Sequence, residues 1–232
     1  RDYEWMMNLV EEMVEYVALQ VTGSTEIQIG DNTISFKRPW KRIPMLEAIE
    51  SATGHDVEGK SRDEIASVCK TLGMDIDETM GSGKLVDELF GEFVEGNLIQ
   101  PTFITDYPVE LSPLAKRHRD SDHLVERFEA ICNGKELCNA FSELNDPDDQ
   151  RARFEDQAGL KLRGDHEAMQ MDEDYLRALE YGMPPTAGMG MGIDRLAMLM
   201  TGQESIRDVI LFPLLKPEVE DGEPDPTEST PA

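Results

Sequence analysis

Residues 127–145 read RFEAICNGKELCNAFSELN, and the fold prediction starts from this stretch. Asn133-Gly134 favours a two-residue type I′ turn, because both residue types tolerate positive φ and apolar-rich runs flank them on either side. Counting outward from the turn gives a regular antiparallel register. Its predicted pairs are Cys132 with Lys135, Ile131 with Glu136, Ala130 with Leu137, and Glu129 with Cys138.

Two glutamates of this hairpin, Glu129 and Glu136, fall on one face as diagonal neighbours, whose Cβ atoms lie about 7–8 Å apart. Carboxylates that converge in a sheet interior repel each other unless a proton or a metal ion lies between them. The alternative is two solvated glutamates on an open face, which is common in so acidic a chain. Asn139, Phe141 and Glu143 weigh against it, since an amide, an aromatic wall and a further carboxylate suit an ammonium ligand.

The composition indicates a globular protein that does not bind nucleic acid nonspecifically. Of 232 residues, 39% are hydrophobic and 6% aromatic, which is enough for one core or two small ones. The 48 acidic and 22 basic residues leave a net charge of −26, which repels polyanions. No apolar run is long enough to span a bilayer, and the start does not resemble a signal peptide. The three cysteines lack zinc or redox spacing, so we expect reduced thiols and a cytoplasmic location.

Helical and strand patterns alternate along the chain. Residues 1–21 and 44–53 have the periodicity of amphipathic helices, and Ser61 opens another helix with a capping box. Residues 26–36 predict a surface hairpin and residues 99–110 a strand interrupted by prolines. We expect one folded domain over residues 1–216 with a mainly helical insertion over 37–98, followed by an acidic disordered tail over 217–232. Gly81-Ser82-Gly83-Lys84 is not a phosphate-binding loop, because the required flanking glycine and hydroxyl residues are missing.

Residues 184–202, PPTAGMGMGIDRLAMLMTG, predict a strand followed by a helix. Gly188, Gly190 and Gly192 alternate, so one face of the strand has no side chains and a flat ligand can lie against it. Arg195 falls at the junction, where a guanidinium can stack on a base or bind phosphates; a surface ion pair with Asp194 is the alternative. Ile193 excludes a dinucleotide-binding fingerprint. A basic run over residues 116–119 predicts either a solvated loop or a contact with polyphosphate or a tRNA end.

With these stretches considered together, the chain resembles class II lysyl-tRNA synthetases. The resemblance is carried by GKELCNAFSELNDPDDQRARFEDQ, by PTFITDYPVELSPLAKRHRD and by the glycine-rich segment up to Pro217, which contains a Gly-x-Gly-x-Gly-x-x-Arg pattern resembling the third motif of the class. The resemblance implies an α+β fold, with an antiparallel β-sheet flanked by helices. It also implies activation of L-lysine with ATP, transfer to tRNA(Lys), and a homodimer when the protein is full-length.

The resemblance also implies roles for individual residues. Glu129 and Glu136 would hold Mg²⁺ on the ATP phosphates, and Asn139, Phe141 and Glu143 would bind lysine. ATP would also contact Leu137, Gly192 and Arg195, with Arg195 and Glu136 acting in catalysis. Cys138 and Ala140 stand where some members of the family have glycine, and both are small enough to leave the site intact.

The family's anticodon-binding barrel and its first two sequence motifs would precede residue 1. The chain starts with arginine, so we expect it to be a piece of a longer protein and to be inactive alone, because the second motif supplies an arginine to the α-phosphate. Two alternatives stay open. One is a paralogue that attaches a lysine-type amino acid to a protein. The other is a non-catalytic relic that binds lysine or only a partner chain.

Strict alternation conflicts with these roles. It places Glu136 on one face of the strand and Asn139, Phe141 and Glu143 on the other, whereas the lysine carboxylate must meet the metal-bound nucleotide on one face. We therefore predict a β-bulge or a sharp twist between Leu137 and Asn139, with two residues facing one opposite Ala130 and Glu129.

Overall fold

The computed structural model describes residues 1–162 and 168–212, which form seven α-helices and seven strands. The helices are α1 (Tyr3–Thr22), α2 (Met45–Thr53), α3 (Arg62–Thr71), α4 (Ser82–Phe93), α5 (Pro147–Leu162), α6 (Glu173–Glu180) and α7 (Ile193–Thr201). The strands are β1 (Glu26–Ile29), β2 (Asn32–Ser35), β3 (Lys41–Pro44), β4 (Thr102–Pro108), β5 (Leu124–Cys132), β6 (Lys135–Ser142) and β7 (Ala187–Met191).

A five-stranded sheet in the order β3-β4-β5-β6-β7 forms the centre of the fold, and β1 and β2 form a separate hairpin. The α+β prediction is confirmed. The central sheet is antiparallel from β4 to β7, and at one edge β3 pairs in parallel with β4. Strand β3 lies in the segment predicted to be mainly helical, and its four residues are too few to show an alternating pattern. The chain passes through α2, α3 and α4 before it returns as β4, and such a long crossover permits parallel pairing.

The turn of the central hairpin has the predicted geometry. Asn133 and Gly134 have φ values of 52° and 68°, as a type I′ turn requires. The two pairs next to the turn also match the prediction, namely Cys132 with Lys135 and Ile131 with Glu136.

Beyond these pairs the register shifts, and Leu137 is the extra residue of a β-bulge in β6. The predicted partners of Ala130 and Glu129 are therefore wrong, because Ala130 pairs with Cys138 and Glu129 with Asn139. The bulge itself was predicted, but it lies one residue closer to the turn. The bulge lets two consecutive side chains enter the core, which regular alternation would prevent. Leu137 is 2% exposed and Cys138 is 1% exposed.

The two faces of the sheet are covered differently. On one face Phe103, Phe128 and Ala140 pack in a core with α1, the β1–β2 hairpin and α7. On the other face Ile104 and Ile131 pack against α2, α3 and α4. This second cover does not extend over β6 and β7, where the glycines of β7 carry no side chains. The residues that the sequence predicts for the site lie on the uncovered part of this face.

The ends of several helices agree with the sequence signals. The Asp2 side chain accepts a hydrogen bond at the start of α1, Ser61 and Glu64 form the capping box of α3, and Gly202 ends α7 with a φ of 68°. The Gly81–Lys84 segment opens α4 and is not a phosphate loop. A Cβ atom on Gly83 would lie 2.8 Å from the Cβ atom of Glu110, so close packing explains that glycine.

The C-terminal tail and the domain limits stay predictions from the sequence. The acidic tail over 217–232 lies outside the described residues. Among the helices that the structure describes, none is long and apolar enough to cross a membrane.

Candidate functional site

The bulge at Leu137 brings the predicted site residues of β6 onto one face. Leu137 and Cys138 both point into the core, so Glu136 lies on the same side of the strand as Asn139, Phe141 and Glu143. These four side chains line a cleft of about 590 Å³, which we call the glycine cleft. Leu137 of β6 also lines it. The other walls are formed by β7 and the start of α7, with Gly188, Met189, Gly190, Gly192 and Arg195.

Glu143 lies at one end of the glycine cleft and is partly buried. Burial raises the pKa of Glu143 above the usual range of a glutamate. Among the described residues its carboxylate has no hydrogen-bond or ion-pair partner. It packs against β7 so closely that a Cβ atom on Gly188 would lie 2.1 Å from its Oε1 atom. The arrangement is a desolvated negative charge beside the ring of Phe141, which is suited to a cation with an apolar stem.

Arg195 lies at the opposite end of the cleft, in the first turn of α7. Its Nη1 atom donates a 2.6 Å hydrogen bond to the backbone oxygen of Glu136 and lies 3.6 Å from Glu136 Oε2. The alternative ion pair with Asp194 is absent from the described contacts. About half of the Arg195 side chain is exposed, so the guanidinium is accessible to a ligand. Gly192 connects the two elements, because its N–H donates to the Leu137 oxygen at 3.0 Å.

Leu137 differs from the other predicted ATP contacts. Its side chain is in the core, so only its backbone can reach a nucleotide in the glycine cleft. The bulge at Leu137 turns this side chain into the core, so the sequence pattern alone does not show where it points.

Glu129 and Glu136 line a second cleft of about 390 Å³, which we call the acidic cleft. The two carboxylates therefore face one space, as the sequence predicts. The pKa of Glu129 is raised above the usual range of a glutamate. Burial and the nearby Glu136 carboxylate raise it, and together they outweigh the lowering by the Arg127 guanidinium. Helix α4 and the turn after it contribute the remaining acidic side chains of the wall, which are Asp87, Glu88, Glu92 and Glu95.

The donor set of the acidic cleft fits Mg²⁺ bound together with a nucleotide. Within the described residues, no group of three or more histidine, cysteine or acidic side chains is arranged to enclose a metal ion. Mg²⁺ in nucleotide sites takes one or two protein carboxylates and completes its shell with water and phosphate oxygens. Glu129 and Glu136 supply such a pair, and Glu136 lines both clefts.

Arg127 is a site residue that sequence reasoning missed. It lies on β5, forms an ion pair with Glu129, and donates from Nε to Asn139 Oδ1 at 3.0 Å. Its guanidinium lies over the ring of Tyr107, with 4.4 Å between the Cζ atom of Arg127 and the ring centroid. The available signal was alternation, because Arg127 is two residues from Glu129 and therefore on the same face of β5.

The basic loop is engaged within the chain. Lys116 donates to Asn145, Arg117 pairs with Asp149, and Arg119 pairs with Asp2 and the buried Glu126. The fourth member, His118, lies within hydrogen-bond distance of the Tyr3 hydroxyl. These contacts favour a structural role for the loop over contact with polyphosphate or tRNA.

Comparisons with known proteins identify the family of this chain. The family model described as tRNA synthetases class II (D, K and N) matches residues 1–216. The chain is similar to a lysine–tRNA ligase of Porphyromonas gingivalis, with 58% identity over 94% of this chain and 38% of the relative. It is also similar to lysine–tRNA ligases of Azobacteroides pseudotrichonymphae (56% identity, 94% of this chain, 44% of the relative) and Christiangramia forsetii (54%, 94% and 38%).

The chain spans about two fifths of the length of these relatives. The family match covers every described element of the fold and both clefts. The sheet flanked by helices agrees with the fold that the sequence resemblance implied. This chain belongs to the class II tRNA synthetase family that comprises the D, K and N enzymes.

Proposed function

We propose that the chain is the C-terminal part of the catalytic domain of a lysine–tRNA ligase. The observation that carries this proposal is the unpaired, partly buried Glu143 carboxylate beside Phe141 in the glycine cleft. Within a family that includes enzymes for aspartate, lysine and asparagine, a negative charge at this position favours the lysine ammonium group and repels the aspartate carboxylate. The relatives with the names lysine–tRNA ligase support the same substrate.

The described residues suggest how the first reaction proceeds. Glu143 and Phe141 bind the ammonium group and the stem of lysine, while Asn139 and the start of α7 face the carboxylate end. The lysine carboxylate attacks the α-phosphate of ATP, which forms lysyl-adenylate and releases pyrophosphate. Arg195 binds the nucleotide, and Glu129 and Glu136 hold Mg²⁺, which neutralises phosphate charge when it is bound. Transfer of the lysyl group to tRNA(Lys) follows.

The charges of the two clefts support the prediction that this chain does not complete the reaction alone. Among the described residues that line them, Arg195 is the one basic side chain, against seven acidic ones, which are Asp87, Glu88, Glu92, Glu95, Glu129, Glu136 and Glu143. ATP adds about four negative charges, so a second cationic group from a longer protein is needed at the α-phosphate. The homodimer and the cytoplasmic location are predictions of the same proposal.

Lysine-dependent exchange of pyrophosphate into ATP tests the proposal. We expect exchange by the complete protein that carries this chain, with lysine but not with aspartate or asparagine, and no exchange by residues 1–232 alone. Glu143→Gln in the complete protein should raise the lysine KM with little effect on the ATP KM. Exchange with aspartate or asparagine would refute lysine specificity, and robust exchange by residues 1–232 would refute the need for a further cationic group.

Two alternatives give different results in the same series. A paralogue that modifies a protein would form the adenylate but would not charge tRNA(Lys). A non-catalytic relic would bind lysine or a partner and show no exchange in any form. The names of the relatives favour the ligase over both.

A further inference from the structure

The Arg127 guanidinium joins the two clefts, because it contacts one residue of each. Its Nε atom donates to Asn139 Oδ1, which lines the glycine cleft, and its Nη2 atom pairs with Glu129, which lines the acidic cleft. Its Nη1 atom donates to the Leu111 backbone oxygen at 2.9 Å and to Ser112 Oγ at 2.8 Å. One side chain is therefore bonded to both ligand-facing surfaces and to the loop behind them.

These contacts determine which atoms are presented to a ligand. An asparagine amide can rotate by about 180°, which exchanges its oxygen and nitrogen positions. Because Asn139 Oδ1 accepts from Arg127, its NH₂ group is the part left to donate into the glycine cleft. The Glu129 carboxylate is also held in position, since Arg127 Nη2 donates to its Oε1 atom in a charge-assisted hydrogen bond.

The Arg127 side chain is itself well fixed. It is 16% exposed, stacks over Tyr107, and uses all three of its nitrogen atoms in hydrogen bonds. A planar guanidinium can satisfy this set of acceptors at once, whereas the point charge of a lysine ammonium cannot.

We propose that Arg127 is a positioning residue that sets the Asn139 amide and the Glu129 carboxylate as one unit. The inference rests on the proposed function and adds to it a physical link between amino-acid binding and the metal cleft. Arg127 contacts neither substrate nor nucleotide in this account. It acts through the two residues that do.

Arg153 is a matched control within the same chain. It is also a buried arginine, 5% exposed, and it donates to backbone oxygens of the same loop, Ser112 at 3.1 Å and Ala115 at 2.7 Å. Its ion-pair partner is Asp149, which lines neither cleft. Loss of Arg153 should therefore loosen the loop without changing the orientation of Asn139 or Glu129.

The test compares Arg127→Lys, Arg127→Met and Arg153→Met in the complete protein that carries this chain. The first readout is lysine affinity by calorimetry without ATP and metal, and the second is pyrophosphate exchange over a range of lysine and Mg²⁺ concentrations. We expect both Arg127 variants to lose about tenfold in lysine affinity, because a fixed charge-assisted arrangement is lost. Arg127→Lys should keep Mg²⁺ dependence near that of the wild type, since its ammonium group can still pair with Glu129, whereas Arg127→Met should need more Mg²⁺.

A double substitution separates positioning from general loosening. In an Asn139→Ala background, Arg127→Lys should have no further effect on lysine affinity, because the amide that it orients is gone. An undiminished effect in that background would overturn the inference, and so would an equal loss of lysine affinity in Arg153→Met. If the wild type exchanges with lysine and the Arg127 variants match it, the inference alone fails. If the wild type neither binds lysine nor supports exchange, the proposed function fails and the inference fails with it.

Discussion

Gly188→Ala should weaken lysine binding through Glu143 and leave the fold unchanged. The φ of Gly188 lies outside the left-handed region, so alanine is tolerated by the backbone. Its Cβ atom would lie 2.1 Å from Glu143 Oε1, whereas a carbon and an oxygen in contact need about 3.3 Å. The carboxylate is the end of a flexible side chain, so it moves by about 1 Å and β7 stays in place.

The energetic effect follows from the longer distance to the bound ammonium group. At an effective dielectric constant of about 20, an ion pair stretched from about 3 to about 4 Å loses about 1.4 kcal/mol. This corresponds to roughly a tenfold change in a binding constant. Partial exposure of Glu143 screens the interaction, so we expect the lysine KM to rise by about threefold to tenfold.

Pyrophosphate exchange by the complete protein measures this change, with the lysine and ATP KM values determined separately. Gly159→Ala is the control, because it lies in α5, lines neither cleft, and its added Cβ atom meets nothing within 4 Å. It should leave both KM values unchanged. A Gly188→Ala protein with wild-type lysine KM would show that Glu143 does not bind the ammonium group. A large rise in the ATP KM alone would show that the strand has moved instead.

Three further predictions concern individual side chains. The lysine KM should rise as the pH falls through the raised pKa of Glu143, because the protonated carboxyl loses its charge; Glu143→Gln should abolish this pH dependence in the exchange assay. Ser142→Ala should lower the free energy of unfolding by about 1–3 kcal/mol in urea titrations, because the buried Glu126 Oε2 atom loses its donor and the Tyr3 N–H loses its acceptor; an unchanged midpoint would contradict this. Glu136→Gln should increase the Mg²⁺ and ATP requirement of exchange more than the lysine KM, and the reverse order would count against its role as a metal ligand.

Local sequence signals were sufficient for the elements around the site. The Asn-Gly pair determines a turn with positive φ at both residues, and the alternating glycines determine a strand with one bare face. The start of α3 followed from the capping box at Ser61, since capping depends on residues within one turn. The edge strand β3 was missed because four residues carry little periodic signal and its pairing partner lies about 60 residues further along the chain.

The sequence by itself determined the hairpin, the glycine strand, the types of side chain in the site and the family to which the chain belongs. Only the tertiary structure decided which of these side chains meet. The bulge places Glu136 on the side of Asn139 and Glu143 because burying both Leu137 and Cys138 in the core outweighs regular pairing at one position. The role of Arg127 likewise depends on Tyr107, Glu129 and Asn139 reaching it from three strands, and no pattern within one strand contains that information.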